Sequence, residues 1–346
     1  MKKYWFVFSL LVLWISACQQ DEEISSPATN KTAFEDGFFI INEGGFTNNN
    51  ASIDFYEYAT DSLHKDLYLN QNQEQLGDIF QSAYKVGSDY YLTINNSGKI
   101  VQTDSLLNKV SSIDDLSSPR YMAFYGGKAF ISDLYADLVH VADLSSNTLV
   151  NSIQMDSWTE GITTKDSFVI VCLPQEDEVR LIHAPTETTI DTLSITGGPS
   201  AILSDSEGYL WVLGSGNYQG TIFPSLSKIE IQEDKLNIVF SESINGVTGY
   251  FPSICYNPLA NELYIALGQS IFRQEATSNG LDLALLFDSD AINIYGINFN
   301  PNHNEILLSD AIDYAQQGII FRYDLEGNKL SSFKAGLIPN GFLIHQ

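Results

Sequence analysis

The sequence predicts an all-β fold, a seven-bladed β-propeller built of four-stranded blades, with the first blade closed by the C-terminal strand. Three observations predict it. A turn-plus-strand motif recurs roughly every 40 residues, a nearly unbroken apolar strand follows each copy, and the two ends of the chain complement each other.

The motif is clearest after Pro or Gly turns. Copies are Ser118-Pro119-Arg120-Tyr121-Met122, Gly198-Pro199-Ser200-Ala201-Ile202, Phe251-Pro252-Ser253-Ile254 and Ile338-Pro339-Asn340-Gly341-Phe342. Weaker copies begin near Gln81, Glu160 and Tyr295. The apolar strands that follow cover Tyr90 to Ile94, Ala129 to Ile131, Phe168 to Cys172, Leu210 to Leu213, Leu263 to Leu267 and Ile306 to Leu308. Phe38 to Ile41 belongs to the same class. A strand apolar on both faces must be covered on both, as the inner strands of stacked blades are. More alternating strands come behind, such as Leu138 to Asp143 and Ile319 to Asp324. The first unit opens at Phe38 without the motif, and the chain ends with it, so the tail supplies the first blade's innermost strand. No 3.6-residue period persists over ten residues, which excludes a helical solenoid. An open β-solenoid is the weaker alternative, because it has no need for complementary ends.

The N-terminus reads as an export signal. Lys2 and Lys3 precede an uncharged apolar run, Tyr4 to Ile15, too short to span a bilayer comfortably. Ile15-Ser16-Ala17-Cys18 resembles the lipobox of bacterial lipoproteins, which implies lipidation at Cys18. An ordinary secretory signal with a chance cysteine is the alternative. Residues 1–17 are therefore expected to be a signal peptide, 18–36 a lipidated flexible tether, and 37–346 the propeller. The acidic run Asp21-Glu22-Glu23 resembles the surface-export signal of Bacteroidetes lipoproteins and favours the outer face of the outer membrane.

Charge narrows the partners. The full chain carries a formal net charge of -26, and removing residues 1–17, with two lysines and no acid, takes it to -28. So acidic a surface does not hold nucleic-acid phosphate or anionic lipid heads, so the acyl chains must supply any membrane attachment. Cys172 and Cys255 lie in apolar runs without cysteine or histidine neighbours and read as two buried thiols rather than a disulfide.

In a propeller, ligands usually meet the face made by two loop sets, the outer-to-inner connections and those between the second and third strands. Residues expected there are Asn42, Glu43, Asn96, Arg120, Tyr135, Trp158, Tyr218, Phe251, Tyr295 and Tyr314. Aromatic rings give flat apolar area at low entropic cost, and amides give both donors and acceptors. The reading is an uncharged, aromatic mouth for a bulky, amide- or hydroxyl-bearing small ligand; ordinary turn chemistry is the competing explanation. Catalytic patterns are thin. His64, His140, His183, His303 and His345 have no partner at metal-ligand spacing, and Gly214-Ser215-Gly216 lacks the nucleophile-elbow pattern. No metal or cofactor is expected, and the protein reads as a binder rather than an enzyme.

Asn42-Glu43-Gly44, Asn95 to Ile100, Ser118-Pro119-Arg120-Tyr121, Asp133-Leu134-Tyr135-Ala136, Leu210 to Leu213 and Asp310 to Gly318 together resemble one group. They are similar to Bacteroidetes surface lipoproteins of the seven-bladed YncE-like propeller class. That class includes the cobalamin-binding lipoprotein that caps a TonB-dependent corrinoid transporter. The resemblance runs from about Phe38 to the C-terminus and implies capture of cobalamin or another corrinoid and hand-over to a TonB-dependent outer-membrane transporter. The loop Leu173 to Asp177 departs from the aromatic and polar run common in the group. A surface scaffold that binds protein, or a propeller enzyme of lactonase or oxidoreductase type, are the alternatives.

Overall fold

A computed structural model describes residues 1, 34–217, 219–246 and 252–344. Within them the chain forms seven antiparallel four-stranded sheets arranged as blades in a ring. Six blades are meanders of consecutive strands. Blade 3, for example, runs through Pro119–Tyr125, Lys128–Asp133, Leu138–Asp143 and Thr148–Gln154. Blade 1 is composite. Its innermost strand is Pro339–Ile344, paired antiparallel with Gly37–Asn42. The closure expected from the complementary ends is therefore present.

Burial follows position in the blade. Gly37–Asn42, Leu210–Gly214 and Glu305–Asp310, all second strands, are buried at every residue. The outermost strand Thr148–Gln154 is largely exposed. Because successive side chains point to opposite faces, each second strand feeds two neighbouring seams. Phe39 and Ile41 pack towards blade 2, against Tyr90, Leu92 and Val101. Phe38 and Ile40 pack the other way, towards Leu307 and Ile320 of blade 7. The described core divides into clusters of this kind, each shared by two adjacent blades. Each large apolar side chain buried in them contributes on the order of 1.5–3 kcal/mol. Cys172 and Cys255 are free, buried thiols, as expected.

The seam between blades 7 and 1 joins the two ends of the chain, and it carries extra polar ties. Arg322 meets the buried Glu305 carboxylate at 2.9 Å and lies over the rings of Tyr56 and Tyr58. Tyr58 hydrogen-bonds Glu305 and receives the Asn300 amide at 2.7 Å. The Asn42 side chain accepts from Gly336 N–H at 3.0 Å and donates to Asp54 at 2.9 Å, so it staples the seam. One element was not foreseen, a six-residue helix at Leu67–Asn72, too short to leave a readable period; its Tyr68 is buried in the cluster between blades 1 and 2.

Removing residues 339–346 strips blade 1 of its innermost strand and bares Gly37–Asn42. The expected result is loss of the single cooperative transition in urea or thermal unfolding. A truncated chain that still unfolds cooperatively at the full-length midpoint contradicts ring closure by the tail.

Candidate ligand site at the propeller axis

The innermost strands begin at the face that carries the outer-to-inner connections. The second strands, antiparallel to them, end there. Both loop sets therefore share one face, and the axial cavity opens among the innermost strands. Its volume is about 490 Å³, within the range of roughly 300–1,000 Å³ usual for small-ligand pockets.

A repeated backbone device shapes its mouth. In five blades the pairing register of the innermost strand slips near its start. The residues skipped are Gln81, Arg120 with Tyr121, Ser200, Tyr295 and Asn340, and all of them line the cavity. A bulge leaves its extra residue out of the ladder and re-aims its side chain. In blade 4 the same place is held by Glu160 and Gly161, whose N–H and carbonyl both bond Cys172. Adjacent innermost strands approach closely there. A Cβ on Gly296 would sit 2.3 Å from the Asn340 carbonyl oxygen, and one on Gly161 2.7 Å from that of Ser200.

The result is a polar collar. Arg120 Nε lies 3.0 and 3.1 Å from the two Glu160 carboxylate oxygens, and its Nη2 lies 2.6 Å from one of them. Its Nη1 donates to Gln81, whose amide donates to the Tyr121 hydroxyl at 3.2 Å. Burial alone would lower the Arg120 pKa, but Glu160, Tyr121 and Glu43 together outweigh it and the guanidinium is held above its ordinary value. In blade 1, Glu43 is only 8% exposed. It accepts from Asn340 at 3.0 Å and, at 3.5 Å, from the Tyr295 hydroxyl. Burial pushes the Glu43 carboxyl up, against the lowering pull of Asn340 and Arg120. The Tyr295 phenol is likewise pushed up, by burial and then by Glu43. Further along the innermost strands from the collar, the lining becomes mainly apolar, with Ile162, Ile202, Ile254, Ile297 and Phe342 alongside the polar Ser82 and Asn298.

Among the described residues no group of three or more His, Cys, Asp or Glu could hold a metal ion. The collar thus offers hydrogen bonding and charge around an apolar interior.

A family model described as Domain of unknown function (DUF5074) matches residues 36–336. The chain belongs to that family. No curated protein matches it. Solved structures share the architecture of this DUF5074 propeller. A quinonprotein alcohol dehydrogenase-like protein of Bacteroides thetaiotaomicron is 14% identical, with a TM-score of 0.69 over 90% of this chain and 78% of that one. A 6-phosphogluconolactonase candidate from Bacteroides fragilis is 12% identical, with a TM-score of 0.69 over 92% and 99%. Hydrazine synthase of Kuenenia stuttgartiensis is 15% identical, with a TM-score of 0.63 over 74% and 86%. At these identities the likeness is one of fold, and the described activities are diverse.

Of the residues expected at the mouth, Glu43, Arg120 and Tyr295 line the cavity of this DUF5074 propeller, and Tyr314 stacks edge-on against Tyr295 at 5.5 Å. Asn42 is the buried seam staple described above. Asn96 lies exposed on its loop, bonded to Asp78. Tyr135, on the same face, is 74% exposed and Trp158 is half-buried; neither lines the cavity. Cys18, Tyr218 and Phe251 lie outside the described residues. The collar is also charged, with Arg120, Glu160 and Glu43, where an uncharged mouth was expected. Tyr121 and Glu160 were also legible as ligand-face residues, whereas Gln81 and Asn340 were visible only as starts of the repeat. In blades 3 and 7, Asp133 and Asp310 tie loop N–H groups ahead of the innermost strand, which gives those motifs a structural use.

Arg120 and Glu160 come from different blades and are both well covered, so deleting one strands the other. Arg120→Met is expected to destabilise by about 3 kcal/mol, and Arg120→Met with Glu160→Leu by much less than the sum of the two single changes. Urea unfolding of the four proteins in the cycle measures this coupling.

Proposed function

We propose that the protein is a lipid-anchored surface binder of the outer membrane that captures a bulky small nutrient at the axial mouth. A corrinoid, cobalamin first, is the leading ligand, handed on to a TonB-dependent outer-membrane transporter. The carrying observation is the axial cavity itself, a polar collar over an apolar interior. A pocket with a few convergent polar groups and an apolar lining is the usual form of a small-ligand site.

The size of the cavity sets the mode of binding. A corrinoid is larger than about 490 Å³, so its ring lies over the mouth and a single side arm reaches the collar. Exposed apolar side chains on the same face, Phe46 at 67% and Ile292 at 65% together with Tyr135, offer area for such a ring. The lipobox-like N-terminus supports the anchor, and the strongly acidic composition leaves membrane attachment to acyl chains. The sequence resemblance supports the corrinoid and the transporter.

Titration calorimetry of the purified protein with cobalamin and cobinamide tests the reading. Roughly micromolar binding or tighter is expected for at least one, weakened roughly tenfold or more by Tyr295→Ala. Absence of heat with both removes the corrinoid.

A further inference from the structure

We infer that the group recognised at the collar is a nitrogen donor without negative charge, an ammonium or a primary amide, accepted by Glu43, and that the collar rejects anions. The inference rests on reading the cavity as a ligand site, and it deepens that reading by naming the chemistry admitted.

The argument is one of charge and of unused hydrogen-bonding capacity. Arg120 is the single cationic side chain among the described residues lining the cavity. An arginine in a pocket usually suggests a carboxylate or phosphate ligand, since its planar fork suits both. Here the paired edge of that fork is already taken, and three of its five N–H donors are committed. Nε and Nη2 hold Glu160 in a paired contact at 2.6–3.1 Å, and Nη1 holds Gln81. An incoming anion would have to compete with a carboxylate built into the neighbouring blade.

Glu43 is in the opposite condition. A carboxylate can accept about four hydrogen bonds. The Glu43 carboxylate takes one at 3.0 Å from Asn340 and a long one at 3.5 Å from Tyr295. Its remaining capacity faces the cavity, and among the described residues no lysine or arginine is paired to it in a salt bridge. The collar sets two carboxyl groups against one guanidinium. Desolvation magnifies that imbalance inside the mouth, and the strongly acidic chain reinforces it outside. A nitrogen donor fills the vacant acceptor positions. An anion finds a neutralised arginine and a repelling carboxylate.

Putrescine, succinamide and succinate share a four-carbon chain and differ only at their ends. Each is titrated into the purified protein at neutral pH and soaked into its crystals. Putrescine and succinamide are expected to bind with a nitrogen against Glu43, and succinate is expected not to bind. Glu43→Gln should weaken putrescine roughly tenfold or more. Glu160→Gln, which releases Arg120, should let succinate in. Succinate bound at Arg120 of the unaltered protein, no binding of either nitrogen probe, or nitrogen density away from Glu43 would each overturn the inference. If Glu43→Gln fails to fold, the three probes on the unaltered protein decide alone. Cobinamide failing while putrescine binds removes the corrinoid and leaves this inference standing. Cobinamide binding with an affinity unchanged in a folded Glu43→Gln protein removes this inference and leaves the corrinoid.

Discussion

The pairing of Pro339–Ile344 with Gly37–Asn42 is the constraint on which the rest of the molecule depends. A ring of sheets has no free inner edge only if the last strand finds the first, and here the two partners lie at opposite ends of the chain. The same strand also helps build the mouth. The Asn340 amide donates to Glu43 in blade 1 and lies 3.1 Å from both the Phe80 and Gln81 carbonyls in blade 2. Closing the ring and forming the Glu43 side of the collar are thus one event. The seam is reinforced in proportion to its exposure to fraying. Arg322, Glu305, Tyr56 and Tyr58 interlock there around an apolar cluster, so removing any one leaves a buried polar partner stranded.

The collar follows from a local departure from ideal sheet geometry. A regular ladder alternates its side chains between the two neighbouring blades and sends none of them down the axis. Slipping the register by one or two residues at the start of the innermost strand breaks that alternation, and a side chain can then turn to the centre. The lost ladder bonds are few, and neighbouring blades replace some of them. Ser82 donates to the Arg120 carbonyl at 2.7 Å, and Gly161 N–H to that of Ser200 at 3.0 Å. Each blade can therefore vary its axial residue without altering its seams, because seam and axis are served by different positions.

This separation explains what the sequence revealed and what it concealed. The seams were legible because they repeat. Each second strand is apolar at consecutive positions, and Pro119, Pro199, Pro252 and Pro339 mark the starts of innermost strands at intervals a reader can count. The mouth was only partly legible, since its residues need not repeat. Arg120 and Glu160 lie 40 positions apart, each with the look of a surface residue, and only the ring brings them together. Loop aromatics such as Tyr135 stood out by residue type, while Gln81, Ser200 and Asn340, just after the turns, were read as markers of the fold. Their position was the available clue. A residue that follows the turn at the head of an innermost strand is placed at the axis whatever its chemistry, and Gln81, Ser200 and Asn340 all obey that rule.

The Arg120–Glu160 pair is better understood as a rivet than as a receptor. A partly covered ion pair adds little net stability, because desolvating both charges offsets most of their attraction. Its value is geometric. Through Gln81, Arg120 and Glu160 it ties blades 2, 3 and 4 at the level where the cavity opens, and it orients the Tyr121 hydroxyl through the Gln81 amide. The Tyr121 hydroxyl is thereby oriented before any ligand arrives, which spares the ordering entropy that binding would otherwise cost. On blade 1 Glu43 is held more loosely, by one short contact and one long one. Rigidity on one side and spare accepting capacity on the other give the mouth a polarity, and that polarity governs the orientation of whatever enters.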